Sequence, residues 1–368
     1  MGVGYYAGNN TRSAASATFT QIFTRTSTLT SWQTITSTTT FAQGQPISIA
    51  VIETASIPIG GSATPVIGVN PNASRIYVTD GSSLVVIDAS SHSVIARVTL
   101  PASSNAGIDN AGIAVDYNSG MVFVSVQGGV AEVNGTTNTV VRELPLSFGS
   151  LAYNPSTHTI YGSLESGNGS LVGVAVQTGS VVENVSLGYR ATNVALNQET
   201  NMVYTVGCDQ IGLACDSVVS IVNGTSGALV TTVHLGSAYY STMTYDQATN
   251  VVYVSGEAEL VALNGTNGHV IFRTNPETCG PFLDMGVIPS ANRVLMVPQN
   301  YDYLLVYDGG SGTLLGMYST SSPQTVAYNP NTDELYLVSS GTLLAFHYSN
   351  VGGVNSTLIG SGQMCLPV

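Results

Sequence analysis

The sequence predicts an all-β protein: a seven-bladed β-propeller preceded by an extended Thr/Ser-rich N-terminal strand segment. Alternating apolar strands recur every 40 to 50 residues or so, about the period of four-stranded propeller blades. The strands carry apolar residues on both faces, as expected where sheets pack face to face. With 368 residues, 43% of them hydrophobic, the chain is long and apolar enough to bury a large core.

Each repeat contains four short strands. The first ends in Asn or Asp, often followed by Pro, as in GVNP at 68–71. The second has a central aromatic residue, as in IYVT at 76–79, and the third follows a Gly/Ser turn at 84–88. The fourth, at 94–100, follows an Asx/Gly turn. Seven units share this order, and the central position of their second strands holds Tyr77, Phe123, Tyr161, Tyr204, Tyr253, Leu295 and Tyr336.

These repeats resemble the YVTN-type β-propeller family, which is named for a strand such as IYVT at 76–79. The resemblance extends over roughly residues 47–360 and implies an extracellular surface protein of archaeal type. The sixth unit departs from the pattern, because MGVIP and RVLMV lack the usual Asn and Tyr. The limits of its strands are therefore left open.

The chain divides into an extension at 1–45 and a propeller at 46–368. Closing the ring requires a strand from one terminus to complete a blade begun at the other. We expect 48–61 to supply the fourth strand of the last blade, beside its strands near 335–338 and 343–347. A segment at 355–359 competes for the same place.

The extension reads either as a strand or as a sugar-bearing stalk. Residues 18–41 are rich in Thr and contain no Pro, whereas mucin-like stalks tend to carry Pro and few aromatic residues. We therefore predict a strand that pairs with a neighbouring molecule. Its large apolar residues, the predicted assembly positions, are Phe19, Phe23, Leu29, Trp32, Ile35 and Phe41.

The charge pattern excludes several kinds of partner. The net charge is -13 and all eight basic residues are arginines that form no run, which argues against nucleic acid and anionic membranes. No apolar stretch approaches the roughly 18 residues that a membrane helix needs. The first residues, MGVGYYAGNN, show no secretory signal. We expect an exported protein whose signal is absent from this form.

Four cysteines indicate an oxidising environment. Cys208 and Cys215 bracket the short segment CDQIGLAC, and a disulfide between them would pin a long insertion between two strands. Cys279 and Cys365 remain, and their pairing would attach the C-terminus to the body. Two disulfides in an exported chain are preferred over four buried thiols.

Sequons for N-glycosylation also favour export. Three of the eight open Asn-Gly-Thr stretches between apolar runs, which is equally well explained as hairpin-turn chemistry. The candidate glycosylation sites are Asn9, Asn72, Asn134, Asn168, Asn184, Asn223, Asn264 and Asn355.

The channel mouth offers little catalytic chemistry. A metal-dependent hydrolase would require carboxylates and histidines that converge on an ion. The five histidines fall in turns on the opposite face or on outer strands, and no cofactor motif is recognisable. The polar residues predicted near the mouth are Asp109, Arg190, Tyr239, Tyr240, Asp284 and Gln324.

We therefore predict an extracellular structural or adhesive surface protein, not an enzyme, with no cofactor. Its propeller is a rigid binding or spacing module, and its N-terminal strand joins copies into a filament or array, or binds a cell-envelope protein or glycan. The alternative is a ligand-binding or lactonase-like propeller with a two-carboxylate cation site at Asp109 and Asp284.

Overall fold

The computed structural model describes residues 17–25, 33–41, 51–60, 64–101, 112–164, 169–211, 214–237, 239–256, 259–274 and 281–348. In this part of the chain, seven four-stranded antiparallel sheets form a ring, and two further strands pair with each other. The prediction of an all-β, seven-bladed propeller is confirmed.

The strands are numbered in chain order. Before the first blade come β1 (Ala17–Arg25), β2 (Gln33–Phe41) and β3 (Val51–Pro58). Blade 1 contains β4 (Ile67–Asn70), β5 (Arg75–Thr79), β6 (Ser83–Asp88) and β7 (Ser93–Thr99). Blade 2 contains β8 (Ile113–Val115), β9 (Met121–Val126), β10 (Gly129–Asn134) and β11 (Thr139–Leu144). Blade 3 contains β12 (Phe148–Asn154), β13 (Thr159–Leu164), β14 (Ser170–Ala175) and β15 (Val181–Ser186).

Blades 4 to 7 repeat this order. Blade 4 contains β16 (Arg190–Asn197), β17 (Met202–Ile211), β18 (Ala214–Asn223) and β19 (Ala228–Gly236). Blade 5 contains β20 (Tyr240–Asp246), β21 (Val251–Gly256), β22 (Leu260–Asn264) and β23 (Val270–Thr274). Blade 6 contains β24 (Phe282–Ile288), β25 (Arg293–Pro298), β26 (Tyr303–Asp308) and β27 (Leu314–Ser319). Blade 7 contains β28 (Pro323–Asn329), β29 (Glu334–Ser339), β30 (Thr342–Tyr348) and, as its fourth strand, β3.

The first strand of each blade is the innermost. First strands of neighbouring blades contact each other around the ring, and β28 of blade 7 contacts β4 of blade 1. Because the strands alternate in direction, the second-to-third connections and the blade-to-blade connections share one face, here called the loop face. The first-to-second and third-to-fourth connections share the other, here called the turn face.

Burial follows position in the blade. Four of the five residues of β22 are buried, because the middle strands are covered by a neighbouring blade on each side. The outer strand β15 instead alternates between exposed and half-buried positions. The long apolar strands predicted from the sequence are therefore the middle strands, and the core is the set of layers between blades.

The aromatic residue of the second strand connects three of the blades to the next one. In blades 3, 4 and 5 it is Tyr, and its hydroxyl reaches the turn after the third strand of the following blade. Tyr161, Tyr204 and Tyr253 donate to the carbonyl oxygens of Gly224, Gly265 and Gly309 at 2.5, 2.6 and 2.8 Å. These bonds satisfy three buried phenols that would otherwise lack water. Within the described residues Tyr77 makes no such bond, and Tyr336 donates to Glu334 of its own strand.

The turns after the first strands also repeat. The Asn or Asp that ends the strand accepts backbone N–H groups of the turn, as Asn197 does from Glu199 and Thr200 at 3.0 and 3.2 Å. The turn then closes through a residue with positive φ, as at Asn201 (56°). Asn tolerates this conformation better than most residues do, which explains the sequence signal.

Blade 6 makes the same turn by different means. Its first strand ends in Ile288, which has no side-chain acceptor, and a 3-10 helix over Pro289–Ala291 replaces the side-chain cap. Pro suits this position because its fixed φ matches the start of a helix. Asn292 then supplies the positive φ (51°), so the strand limits left open by the sequence are set without a change of fold.

The ring is closed by the strand from the N-terminal side. β3 pairs antiparallel with β30, from Val51 opposite Tyr348 to Pro58 opposite Thr342. This confirms the expectation that 48–61 provides the fourth strand of the last blade. The competing segment at 355–359 lies outside the described residues.

A buried carboxylate joins the three elements that meet at the closure. Glu334, only 4% exposed, accepts hydrogen bonds from Thr54 Oγ1 on β3 (2.8 Å) and from the Tyr336 hydroxyl (2.6 Å). His92 Nε2, from the turn between the third and fourth strands of blade 1, lies 3.0 Å from the same carboxylate. These four residues are named the closure cluster.

The N-terminal segment forms a hairpin instead of one extended strand. β1 pairs antiparallel with β2 in continuous register, with Phe23 opposite Ile35 and Ala17 opposite Phe41. A hairpin provides backbone partners within the chain that an isolated strand would have to find elsewhere. Of the predicted assembly positions, Leu29 and Trp32 lie outside the described residues.

The predicted Cys208–Cys215 disulfide is present. It connects β17 and β18, with Cα atoms 5.5 Å apart. These two strands have ten residues each and are the longest in the described blades, so the bond crosslinks a hairpin that extends beyond its neighbours on the loop face. Cys279 and Cys365 lie outside the described residues.

Candidate functional site

The loop face carries the polar residues predicted at the channel mouth. Arg190, at the start of β16, and Tyr239, before β20, are exposed. Tyr240 is completely buried, and its hydroxyl donates to Glu259 of its own blade. Gln324 is half-buried on β28. Asp109 lies outside the described residues, so the structure brings no cluster of these six together.

Asp284 lies on the first strand of blade 6 and ties it to blade 7. Its Oδ2 accepts hydrogen bonds from Thr325 Oγ1 (2.7 Å) and Val326 N (2.9 Å), and its Oδ1 accepts one from Met285 N (2.8 Å). Desolvation by burial raises the pKa of this carboxyl, against the effect of those three donors. The arrangement is that of an inter-blade crosslink, with both oxygens already engaged.

The same role recurs elsewhere in the ring. Ser150, which like Asp284 stands four residues before the end of its first strand, accepts a hydrogen bond at Oγ from Val194 N of the next blade (3.2 Å). Within the described ranges, no group of three or more His, Cys, Asp or Glu residues is arranged to hold a metal ion. Asp284 therefore offers no support to a two-carboxylate cation site.

The described histidines make structural contacts. His158 Nδ1 lies 3.0 Å from the hydroxyl of Tyr153, which also donates to Asp116 Oδ2 (3.1 Å). His234 Nδ1 lies 2.6 Å from Asp216, at the base of the hairpin that carries the disulfide. Neither pair faces the channel mouth on the loop face with a free acid or base.

The five described sequons fall into two groups. Three form turn caps, in which the side-chain oxygen accepts backbone N–H groups: Asn134, Asn223 and Asn264. Asn72, in a turn of blade 1, and Asn184, on the outer strand of blade 3, are exposed. The turn explanation thus holds for the first group, and glycosylation stays a prediction. Asn9, Asn168 and Asn355 lie outside the described residues.

The outer edges of the described blades are interrupted by β-bulges. In each blade the register between the third and fourth strands skips one residue of the fourth strand, and in blade 4 it skips a second one, Leu235. A bulge disrupts the ladder and bends the edge, which discourages further strand pairing. In five blades the skipped residue is an aliphatic side chain that is 43% to 56% exposed: Ile95, Val141, Val182, Val230 and Ile271.

A cleft opens on the turn face, where the inner turns of blades 1 to 4 meet. It holds about 100 Å³ and is open to solvent. It is lined by Asn72 from blade 1, Tyr117 and Asn118 from blade 2, and Tyr153 and Gln198 from blades 3 and 4. None of its lining residues is charged.

The sequence contained a signal for this cleft. The residue after the Asn, Asp or Ile that closes the first-strand motif is Pro in four of the repeats: Pro71, Pro155, Pro289 and Pro330. In blade 2 it is Tyr117, which follows Asp116, and its side chain is 41% exposed. This cleft was not predicted from the sequence, because ligand binding was placed on the loop face and the turns of the other face were assigned a structural role.

Comparisons with known proteins show the fold alone. No family model matches the sequence, and no curated protein matches it. Hydrazine synthase of Kuenenia stuttgartiensis is similar in structure, with a TM-score of 0.66 and 12% identity, over 77% of this chain and 96% of that one. The Cps50 (Swd1) β-propeller domain of Myceliophteria thermophila has a TM-score of 0.67 and 11% identity, over 81% of this chain and 100% of that one. The described residues include no helix long and apolar enough to cross a membrane.

Proposed function

We propose that the protein is an extracellular structural or adhesive surface protein of the YVTN-type, archaeal-like class. Its propeller serves as a rigid binding or spacing module. Its N-terminal segment joins copies into a filament or array, or attaches them to a cell-envelope protein or glycan.

The path of the chain at blade 7 carries the proposal. The first residue of β3, Val51, is paired with the last residue of β30, Tyr348. The residues before 51 and after 348 are therefore attached side by side, near the perimeter on the turn-face end of one blade. Attachment at this position suits a disc held at its edge.

Rigidity of the disc supports its role as a spacer. The ring is closed by eight residues of β3, and the closure cluster adds side-chain bonds between β3, blade 7 and blade 1. Tyrosine hydroxyls crosslink further blades. A ring closed in this way holds its blades in fixed positions relative to one another.

The hairpin supports assembly because its strands lack the bulges found on the blades, and β1 also contacts β3 of the same chain. β1 and β2 have nine residues each, pair without a bulge, and contain no Pro and one charged residue, Arg25. Long, regular, uncharged edges favour pairing with another chain. If β1 of one copy pairs with β2 of the next, the contact is head-to-tail and does not close, so a filament results.

Two observations support an extracellular location. The Cys208–Cys215 disulfide is typical of oxidising compartments. Asn72 and Asn184 are sequons whose side chains are exposed and accessible to modification. Mass spectrometry of the protein from its native source tests this part, and unmodified asparagines at both positions together with free thiols would refute it.

Truncation tests the assembly. A chain lacking residues 1–45 keeps β3 and hence the closed ring, and we expect it to be monomeric by light scattering where the full chain forms larger species. A chain lacking only 1–16 retains the hairpin and is the matched control, expected to assemble as the full chain does. Assembly that persists without 1–45 would reject the role of the hairpin.

A further inference from the structure

The turn-face cleft has the composition of a binding site for a neutral ligand. The cleft holds about 100 Å³ and is open to solvent, so it is smaller than the ~300–1,000 Å³ of typical small-molecule sites and covers only part of a ligand as large as one sugar residue. It is lined by two phenols, three amides and two apolar residues, so it offers hydrogen bonds and an apolar surface without a charge. A charged ligand would lose hydration here and gain no ion pair.

Tyr117 provides the apolar surface. It is 41% exposed, and among the described residues no other ring stacks on it. The turn that carries it is held rigidly: Asp116 Oδ1 accepts a hydrogen bond from Asn118 N (3.0 Å), and Asn72 Nδ2 donates to Tyr117 O (3.3 Å). An exposed ring on a rigid turn is a stacking surface that a ligand can occupy with little loss of entropy.

The amides around Tyr117 retain unused hydrogen-bonding capacity. The side chains of Asn118 and Gln198 make no hydrogen bond within the described residues, and the side-chain oxygen of Asn72 likewise accepts none there. The Tyr153 hydroxyl differs from these amides, because it is already engaged with Asp116 and His158. Desolvation raises the pKa of Tyr117, so its hydroxyl stays a neutral donor at physiological pH.

We propose that this cleft binds one neutral sugar residue, with an apolar face of the sugar ring against Tyr117 and its hydroxyls hydrogen-bonded to Asn118, Gln198 and Asn72. A sugar matches the site because it combines an apolar C–H face with several hydroxyls and carries no charge. The sugar has two possible sources: the protein's own glycan on Asn72, or a glycan of another molecule. The first source rests on the proposed extracellular, glycosylated state, whereas sugar binding itself does not.

Saturation-transfer NMR on the unglycosylated full chain tests the site. The probes are methyl glucoside, methyl mannoside and N-acetylglucosamine, with glucuronate as the anionic comparison. We expect transfer to at least one neutral probe and none to glucuronate. Tyr117→Ala should weaken binding about tenfold through loss of stacking, and Gln198→Ala about fivefold through loss of one hydrogen bond.

Tyr239→Ala is the matched control, because Tyr239 is similarly exposed (39%) but lies on the loop face. It should bind as the parent protein does. Tyr117→Ala should keep the parent's thermal unfolding, which separates loss of the site from loss of the fold. The proposal is overturned if no neutral probe shows transfer, if glucuronate binds as well as the neutral probes, or if Tyr117→Ala binds normally.

A second arm identifies the source of the sugar, using protein made in a glycosylating host. Ser74→Gly removes the sequon without altering Asn72, and Gly accepts the positive φ of 53° at that position. If added sugar binds to Ser74→Gly but not to the glycosylated parent, the protein's own glycan fills the cleft. If it binds both, the ligand comes from another molecule. If added sugar binds to neither protein, the sugar site is contradicted. If Asn72 of the parent is found unmodified, only the glycosylation of Asn72 is contradicted.

Discussion

Replacing Glu334 with Gln tests whether ring closure depends on an ionised carboxylate. Glu334 is 4% exposed and faces donors from three elements: Thr54 on β3, His92 in blade 1 and Tyr336 on its own strand. Gln has nearly the same shape, but its amide nitrogen is a donor and its charge is zero. At least one of these donors then loses its acceptor, and the attraction to a protonated His92 is lost.

The size of the effect follows from the pKa of Glu334. Burial disfavours the charge, but hydrogen bonds from His92, Tyr336 and Thr54 and the charge of His92 outweigh it, lowering the pKa from 4.5 to about 2. By linkage this difference corresponds to about 3 kcal/mol of stability at neutral pH. Because the folded-state pKa is the lower one, the contribution is complete above the ordinary value of 4.5 and is lost as pH falls toward 2.

Unfolding by denaturant, followed by circular dichroism from about pH 2 to neutrality, measures this contribution. We expect Glu334→Gln to lower the free energy of unfolding by about 2–3 kcal/mol at neutral pH. The difference from the parent should narrow steadily as pH falls through the range set by the two pKa values.

Glu183→Gln is the matched control. Glu183 likewise lies beside a buried tyrosine, with its Oε1 3.1 Å from the Tyr161 hydroxyl, but desolvation raises its pKa, so its charge is disfavoured in the folded protein. We expect this variant to be as stable as the parent or more stable at neutral pH. Equal losses in Glu183→Gln and Glu334→Gln, or a Glu334→Gln deficit that does not change with pH, would refute the reasoning.

Two further predictions concern contacts between blades. Tyr204→Phe removes the hydrogen bond to Gly265 of the next blade and should lower the free energy of unfolding in urea by about 1 kcal/mol. Gly265→Ala should lower it further, because the added Cβ would lie 2.5 Å from Asn250 Oδ1. A Gly265→Ala variant as stable as the parent would contradict the close packing. Asp284→Asn should lower stability by about 1–3 kcal/mol at neutral pH, because an amide N–H would face a backbone N–H of its own strand or of the next blade. Because burial raises the pKa of Asp284, the parent gains stability from this group as pH falls through the raised value. Asn does not titrate, so an Asp284→Asn variant with the parent's dependence of stability on pH would disprove the raised pKa.

Much of the fold was predictable because it depends on short-range patterns. The local requirements are strand alternation, the aromatic residue in the second strand and the Asn or Asp before the turn. They recur in the repeats, with Leu295 and Ile288 as the exceptions in the sixth. The closing strand was also predictable, because 48–61 has the pattern of a fourth strand with no first three strands before it. The N-terminal hairpin was not, since a Thr-rich segment has no strong turn signal to show where it reverses.

The sequence also contains the inter-blade contacts in a form that is recognisable once the fold is known. Each second-strand Tyr that donates to the next blade meets a Gly there, as Tyr253 meets Gly309. Blade 2 has Phe123 in place of the Tyr and therefore has no hydroxyl to donate. The residue that corresponds to the Gly in the next blade is Val176, whose backbone N–H donates to His158 O in the turn. The pairing of Tyr with Gly, two residues more than 50 positions apart, cannot be recognised until the blades are superposed.

By itself the sequence determined that this protein is a closed ring of seven four-stranded blades, because each blade is specified by patterns a few residues long. Only the tertiary structure decided which residues meet. Thr54 and Glu334 are 280 residues apart in the chain and form a hydrogen bond at the ring closure. The turn-face cleft likewise combines four blades, because a ring brings every inner turn to the same axis regardless of distance along the chain.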